Sequence, residues 1–135
     1  MKDPILLSTI CALSVPLTYA AYSQYWDIYG SLLVQLMAGI AFHSSKDVLL
    51  MKIDQLCILQ FMVVSFHTAY ELELLYLAIT GISWASYVYV YGYYTNSLGF
   101  SNSYIESTLY HGSIHIMASG MWCYGIYVKQ CEDRV

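Results

Sequence analysis

Apolar residues run along this chain in five long stretches, 5–22, 28–43, 48–69, 72–93 and 104–128, with short polar breaks between them. Each comes close to the roughly 20 residues that a helix needs to cross about 30 Å of hydrocarbon. The pattern predicts an all-α, multi-pass membrane bundle of about five transmembrane helices, forming one domain over residues 1–135. No linker, repeat or soluble domain interrupts it. The longest turn is expected at 95–103, where Asn96, Ser97, Gly99 and Asn102 break the apolar run. One stretch carries a conflicting signal, because Tyr87, Tyr89, Tyr91 and Tyr93 alternate with Val88, Val90 and Gly92. Period two is a strand pattern, but a lone strand would leave its backbone unpaired in hydrocarbon. A helix is therefore expected here, with its tyrosine end in the headgroup zone.

The first stretch also fits a cleaved signal peptide, since Lys2 precedes an apolar run and Thr18-Tyr19-Ala20 forms a cleavage-like site. Asp3 and Pro4 weaken that basic start. Tyr22, Tyr25, Trp26 and Tyr29 suit an interfacial turn between two spans. The first stretch is accordingly read as a span.

Composition narrows the class further. Hydrophobic residues make up 59% of the 135 and charged residues 10%, against about 25% charged in an ordinary soluble domain. Five basic residues against nine acidic ones give a net charge of −4, so a nucleic-acid footprint is absent. The four cysteines, Cys11, Cys57, Cys123 and Cys131, form neither a CxxC pair nor a disulfide framework. With five spans, Lys2, Lys46 and Lys52 fall on one side, and Lys129 and Arg134 on the other. That count places the N-terminus inside by a single residue.

Ionisable groups in apolar spans are costly and mark function by default. His111 and His115 stand four residues apart in Tyr110-His111-Gly112-Ser113-Ile114-His115, which stacks both imidazoles on one helix face. Two such rings can bind one metal ion, or each can hydrogen-bond a neighbouring helix. His43 ends the second stretch and Asp54 lies just inside the third, flanked by Ile53, Leu56, Cys57 and Ile58. A carboxylate there needs a partner, with Lys52 and Gln55 as the plain candidates. His111 lies about 12 Å into its helix at 1.5 Å per residue. His43, His111, His115 and Asp54 are thus expected in one layer of the same membrane half, with the second, third and fifth helices adjacent. Three histidines and an open position suit a catalytic zinc site, and Asp54 would hold the water. His67 lies roughly 20 Å further along the third helix and is read as interfacial. Glu71 and Glu73 read as a solvated turn. Glu106 reads as a favourable charge at a helix N-terminus.

The segments Ala41-Phe42-His43, Asp54-Gln55-Leu56 and Tyr110 to Ala118 together resemble the alkaline ceramidases. That family belongs to the CREST superfamily, with the progestin and adiponectin receptors and the myomaker-like proteins. The motif-bearing helices cover about half of the chain. The resemblance implies Zn2+ bound by His43, His111 and His115, a catalytic Asp54 supporting the zinc-bound water, and hydrolysis of a membrane lipid amide such as ceramide. Three features depart from the family. It has seven spans where this chain has room for five. Its usual serine one turn before the first histidine is Gly39 here, and its acidic N-terminal calcium-binding stretch is reduced to Asp27.

Three functions follow as expectations. The first is a zinc-dependent integral-membrane hydrolase of lipid amides. The second is a non-catalytic member of the superfamily whose three-histidine zinc site ties helices together; Gly39 favours it. The third is a small metal-free membrane subunit whose histidines only pack.

Overall fold

The computed structural model describes residues 4–45 and 47–134. Lys2, Asp3 and Lys46, on which the charge reading draws, lie outside the described residues. The chain is all-α, and no strand occurs among the described residues.

Pro16 lies inside the first helical rod and has no N–H to give the Ala12 carbonyl one turn back. The rod accordingly runs as α1 (Pro4–Ile10), a 3-10 turn (Cys11–Leu13) and α2 (Ser14–Tyr22). Ser119, far along the chain, donates its hydroxyl to the Ala12 oxygen at 2.8 Å. The second rod is α3 (Trp26–Ser45). The third, α4 (Val48–Glu71), opens on Asp47, whose Oδ1 accepts from the Leu49 and Leu50 amides. The fourth comprises α5 (Leu75–Ser86), a π-helical turn (Tyr87–Tyr91) and α6 (Gly92–Thr95). The fifth is α7 (Tyr104–Glu132), capped by the Ser103 hydroxyl. Three of these helices, Ile5–Tyr22, Trp26–Ser45 and Val48–Glu71, are long and apolar enough to cross a membrane.

The tyrosine alternation resolves as helix with one widened turn. Tyr87 and Tyr91 stack at 5.0 Å on the exposed side, while Val88 is buried and Tyr89 turns inward. The connection before α7 is the longest among the described residues and contains a short 3-10 turn, Leu98–Phe100. Glu106 does more than face the helix N-terminus. Its carboxylate accepts from the Leu98 amide at 3.2 Å and the Ser101 hydroxyl at 2.7 Å, and so folds that connection onto α7.

The five rods close a ring. The first packs on both α3 and α7, α3 on α4, α4 on α5, and α5 back on α7. The expected adjacency of the second and third helices holds, while the fifth stands apart from them: α1 lies between α3 and α7, and α5 between α4 and α7. Two small residues make room for α1. A Cβ on Gly39 of α3 would sit 2.7 Å from Ile10 Cγ1, and one on Gly112 of α7 would sit 3.1 Å from Thr9 Cγ2. Consecutive side chains of α1 thus fill a notch on each neighbour.

Burial follows helical spacing. On α3 it falls on Ile28, Ser31, Leu32, Gln35, Leu36, Gly39 and His43, and on α7 on Thr108, Gly112, Ser119, Trp122 and Ile126. Helix α4 differs, exposing Leu49, Ile53, Leu56, Leu59, Val63 and Phe66 while burying Asp54 and Thr68. The end of α7 is tied to the α2–α3 turn. Tyr19 donates to Gln130 at 2.8 Å, and Gln130 donates to Ser23 at 2.6 Å. Tyr25 donates to Asp133 at 2.5 Å; burial, then this bond, pushes its phenol up to about 12. These ties carry α7 past the apolar limit at residue 128.

Gly39→Ser is expected to lower stability by about 1–3 kcal/mol through overpacking against Ile10. Ile10→Ala in the same chain should relieve part of that loss, so the two changes should be non-additive in thermal unfolding. Full additivity would mean that Ile10 is not what Gly39 accommodates.

Candidate metal centre

Four-residue steps along the buried face of α3 carry Gln35, Gly39 and His43. His43, only 2% exposed, points from the end of that face toward α7. On α7 the same four-residue step carries His111 and His115. One ligand nitrogen from each of the three imidazoles lies within 4.8 Å of the other two. Ring centroids are 5.2 Å apart for His43 and His111, 5.5 Å for His43 and His115, and 5.0 Å for His111 and His115. Imidazole nitrogens gathered this closely can share one metal ion after a small rotation of the rings.

Neighbouring hydroxyls orient two of the rings. Thr9 Oγ1 donates to the Leu6 carbonyl at 2.9 Å and lies 2.9 Å from His115 Nδ1. A hydroxyl has one proton to give. Thr9 therefore accepts from His115 Nδ1–H, and the lone pair of that ring is on Nε2. This is the outer-shell arrangement that fixes a metal-ligating histidine. Gly112 makes the contact possible, because a side chain there would push Thr9 away. Tyr89, delivered by the π-helical turn, shares a hydrogen bond of 3.2 Å with His111 Nε2. Its ring meets His111 edge-on at 5.6 Å. π-Turns often sit at functional sites for this reason, since one added residue re-aims a side chain.

Asp54 is 7% exposed. Neither Lys52 nor Gln55 neutralises its burial, as both are exposed. Its partner is Gln35 of α3, whose Nε2 donates to Oδ1 at 3.4 Å. Gln35 Oε1 has no hydrogen-bond partner among the described residues. His67 stays outside the group, on the surface, paired with Glu71 at 3.6 Å.

Some of these residues line one end of a cavity of about 320 Å³ walled chiefly by α4, α5 and α7; His43 and Thr9 are not among them. Gln35, Asp54, Tyr89, His111 and His115 gather at that end. Away from it the lining is mostly apolar, through Ile58, Phe61, Met117 and Met121 to Ala69, Trp122 and Gly125. His111 to Gly125 on α7 and Asp54 to Ala69 on α4 each span roughly 20 Å at about 1.5 Å per residue.

Sequence reasoning found the three histidines and Asp54 but missed Thr9, Tyr89 and Gln35. Gln35 carried a readable signal, being a carboxamide in an apolar run on the His43 face. Comparisons with protein-family models, with curated proteins and with solved structures find no match.

Thr9→Val is expected to weaken binding of a divalent metal about 10–100-fold. Thr9→Ser should stay near wild type, because it keeps the hydroxyl. Competition of the purified protein with a metal-sensitive chelator checks this. Equal affinity in all three proteins would mean that Thr9 does not set the His115 tautomer.

Proposed function

We propose that this chain is a zinc-dependent, multi-pass integral-membrane hydrolase of long-chain lipid amides, similar to the alkaline ceramidases. The observation that carries the reading is the convergence of His43, His111 and His115, two of which, His111 and His115, line with buried Asp54 the polar end of a long apolar cavity. The membrane setting is supported by three long apolar helices and by the apolar side chains that α4 shows on its outer surface. A helix that turns a polar face inward and an apolar one outward is suited to a lipid environment. The choice of zinc rests on the donor set, three imidazoles, two of which line the cavity.

The residues divide the work. The cavity takes the acyl chain and brings the amide carbonyl to the histidines, which excludes bulk water from the reacting end. A zinc ion held by the three imidazoles would supply Lewis acidity toward the carbonyl and toward water. Asp54 accepts the proton of the attacking water and delivers it to the leaving nitrogen. The C–N bond breaks, the acyl carbon takes the hydroxyl, and the products are a fatty acid and an amine. Gln35 holds Asp54 in place, and Tyr89 orients His111.

A second reading has its own observation. The serine that the family carries one turn before the first histidine is Gly39 here, and Ile10 closes the space its side chain would need. That favours a metal that only joins α3 to α7, where a structural ion would add to a bundle with few other polar ties.

Ceramide turnover by wild type and Asp54→Asn, compared at matched zinc content, separates the two. The hydrolase reading expects wild-type cleavage and a loss of about 100-fold or more in Asp54→Asn with zinc retained. Zinc-loaded wild type that cleaves no long-chain amide would contradict it and leave the structural reading standing.

A further inference from the structure

We propose that Gly81 and Gly125 fix the length of the single acyl chain the cavity holds, Gly81 by giving Met121 a place to withdraw and Gly125 by leaving the far end open. The proposal rests on the lipid-amide reading above and adds to it the positions that measure the substrate.

The cavity is long and narrow. Its volume of about 320 Å³ is drawn out over roughly 20 Å, from the level of Asp54 and His111 to that of Ala69 and Gly125. That shape admits one straight chain and not two abreast. Among the described residues, no charged side chain lines it apart from Asp54 and the two histidines, so its length suits methylenes rather than a headgroup. An extended chain advances about 1.2 Å per bond, judged by the roughly 3.6 Å that three backbone bonds span. The cavity therefore takes about 16 carbons.

Met121 stands six residues past His115 and ten past His111 on α7, which is about 9–15 Å deeper. That is the level of about the eighth to twelfth carbon. Its tip lies against Gly81 of α5, where a Cβ would meet Sδ at 2.9 Å and Cε at 3.2 Å. Both residues line the cavity. A methionine side chain has three rotatable bonds and adapts readily. Filling the notch at Gly81 thus displaces the thioether rather than a helix, and the space open to it is the cavity. Gly125 lines the far part, and a Cβ there meets nothing within 4 Å. Neither glycine has a positive φ, so the backbone does not require it, and glycine inside a helix is less favourable than alanine. The room each one leaves in the cavity accounts for its place.

The experiment titrates N-methyl amides of straight saturated acids with 6, 8, 12 and 16 carbons into detergent-purified protein. Tryptophan fluorescence reports binding, since Trp122 lines the cavity. Micelle partition of a probe is the same for every variant, so the readout is the affinity of variant over wild type at each length. Gly81→Ala should leave the 6-carbon probe within about twofold and weaken the 16-carbon probe about tenfold or more. Adding Met121→Ala should bring the 16-carbon probe back to within about threefold, because it removes the displaced group. Gly125→Leu, whose added side chain enters open space, should spare the 8-carbon probe and weaken the 16-carbon probe about tenfold. It carries the test where Gly81→Ala fails to fold. A loss equal at every length, no loss at 16 carbons in either variant, or a loss that Met121→Ala does not relieve would overturn the proposal. Length-selective binding without turnover supports the measuring role and contradicts the hydrolase reading. Ceramide turnover by wild type with losses independent of length does the reverse. Failure to bind any probe overturns both.

Discussion

Close approach of α1 to both α3 and α7 governs the rest of the molecule. Ile10 meets α3 where Gly39 has no side chain, and Thr9 meets α7 where Gly112 has none. The two contacts come from adjacent residues on one helix, so they fix the separation of α3 and α7 at one level of the bundle. That level is where His43 faces His111 and His115. Widening either notch would move imidazoles apart that now lie within 4.8 Å. The first rod stays in register over its length because its own irregularity is satisfied by α7, through the Ser119 bond to the carbonyl that Pro16 leaves free.

At the same level the molecule buries a carboxylate, a carboxamide and imidazoles in an apolar interior. Such groups are costly without partners. Hydrogen-bond partners for them lie on different rods: Thr9 of α1 for His115, Tyr89 of the π-turn for His111, and Gln35 of α3 for Asp54 on α4. These bonds join the first, fourth and fifth rods and, separately, the second and third, and the ring contacts of His43 with His111 and His115 link the two sets. The molecule also leaves the Gln35 oxygen buried without a hydrogen-bond partner among the described residues. A core built only for stability would satisfy that oxygen internally.

Much of this was legible in the sequence for one reason: ionisable side chains stand out in apolar runs. His43, Asp54, His111 and His115 could be found, and the four-residue step placed two of them on one face. The all-α class followed from the same runs. Helix ends were less legible, because apolar length and hydrogen-bonded length differ. Helix α7 continues to Glu132 through ties to the α2–α3 turn, and Asp133 is held there by Tyr25, which no apolar count includes. The order of rods around the ring was not legible either. It depends on which face of α1 carries Thr9 and Ile10 and on what two glycines lack, and neither feature has a periodic signature. Tyr89 was hidden by the period-two tyrosines, whose pattern is shared by a strand and by a helix with a π-turn.

The account depends on whether the three imidazoles hold a metal. X-ray absorption at the zinc edge of the purified protein, with elemental analysis of the same sample, addresses that directly. One zinc per chain is expected, with three imidazole nitrogens at about 2.0–2.1 Å. A folded protein without stoichiometric metal, or sulfur ligands at about 2.3 Å in place of imidazole, would contradict it.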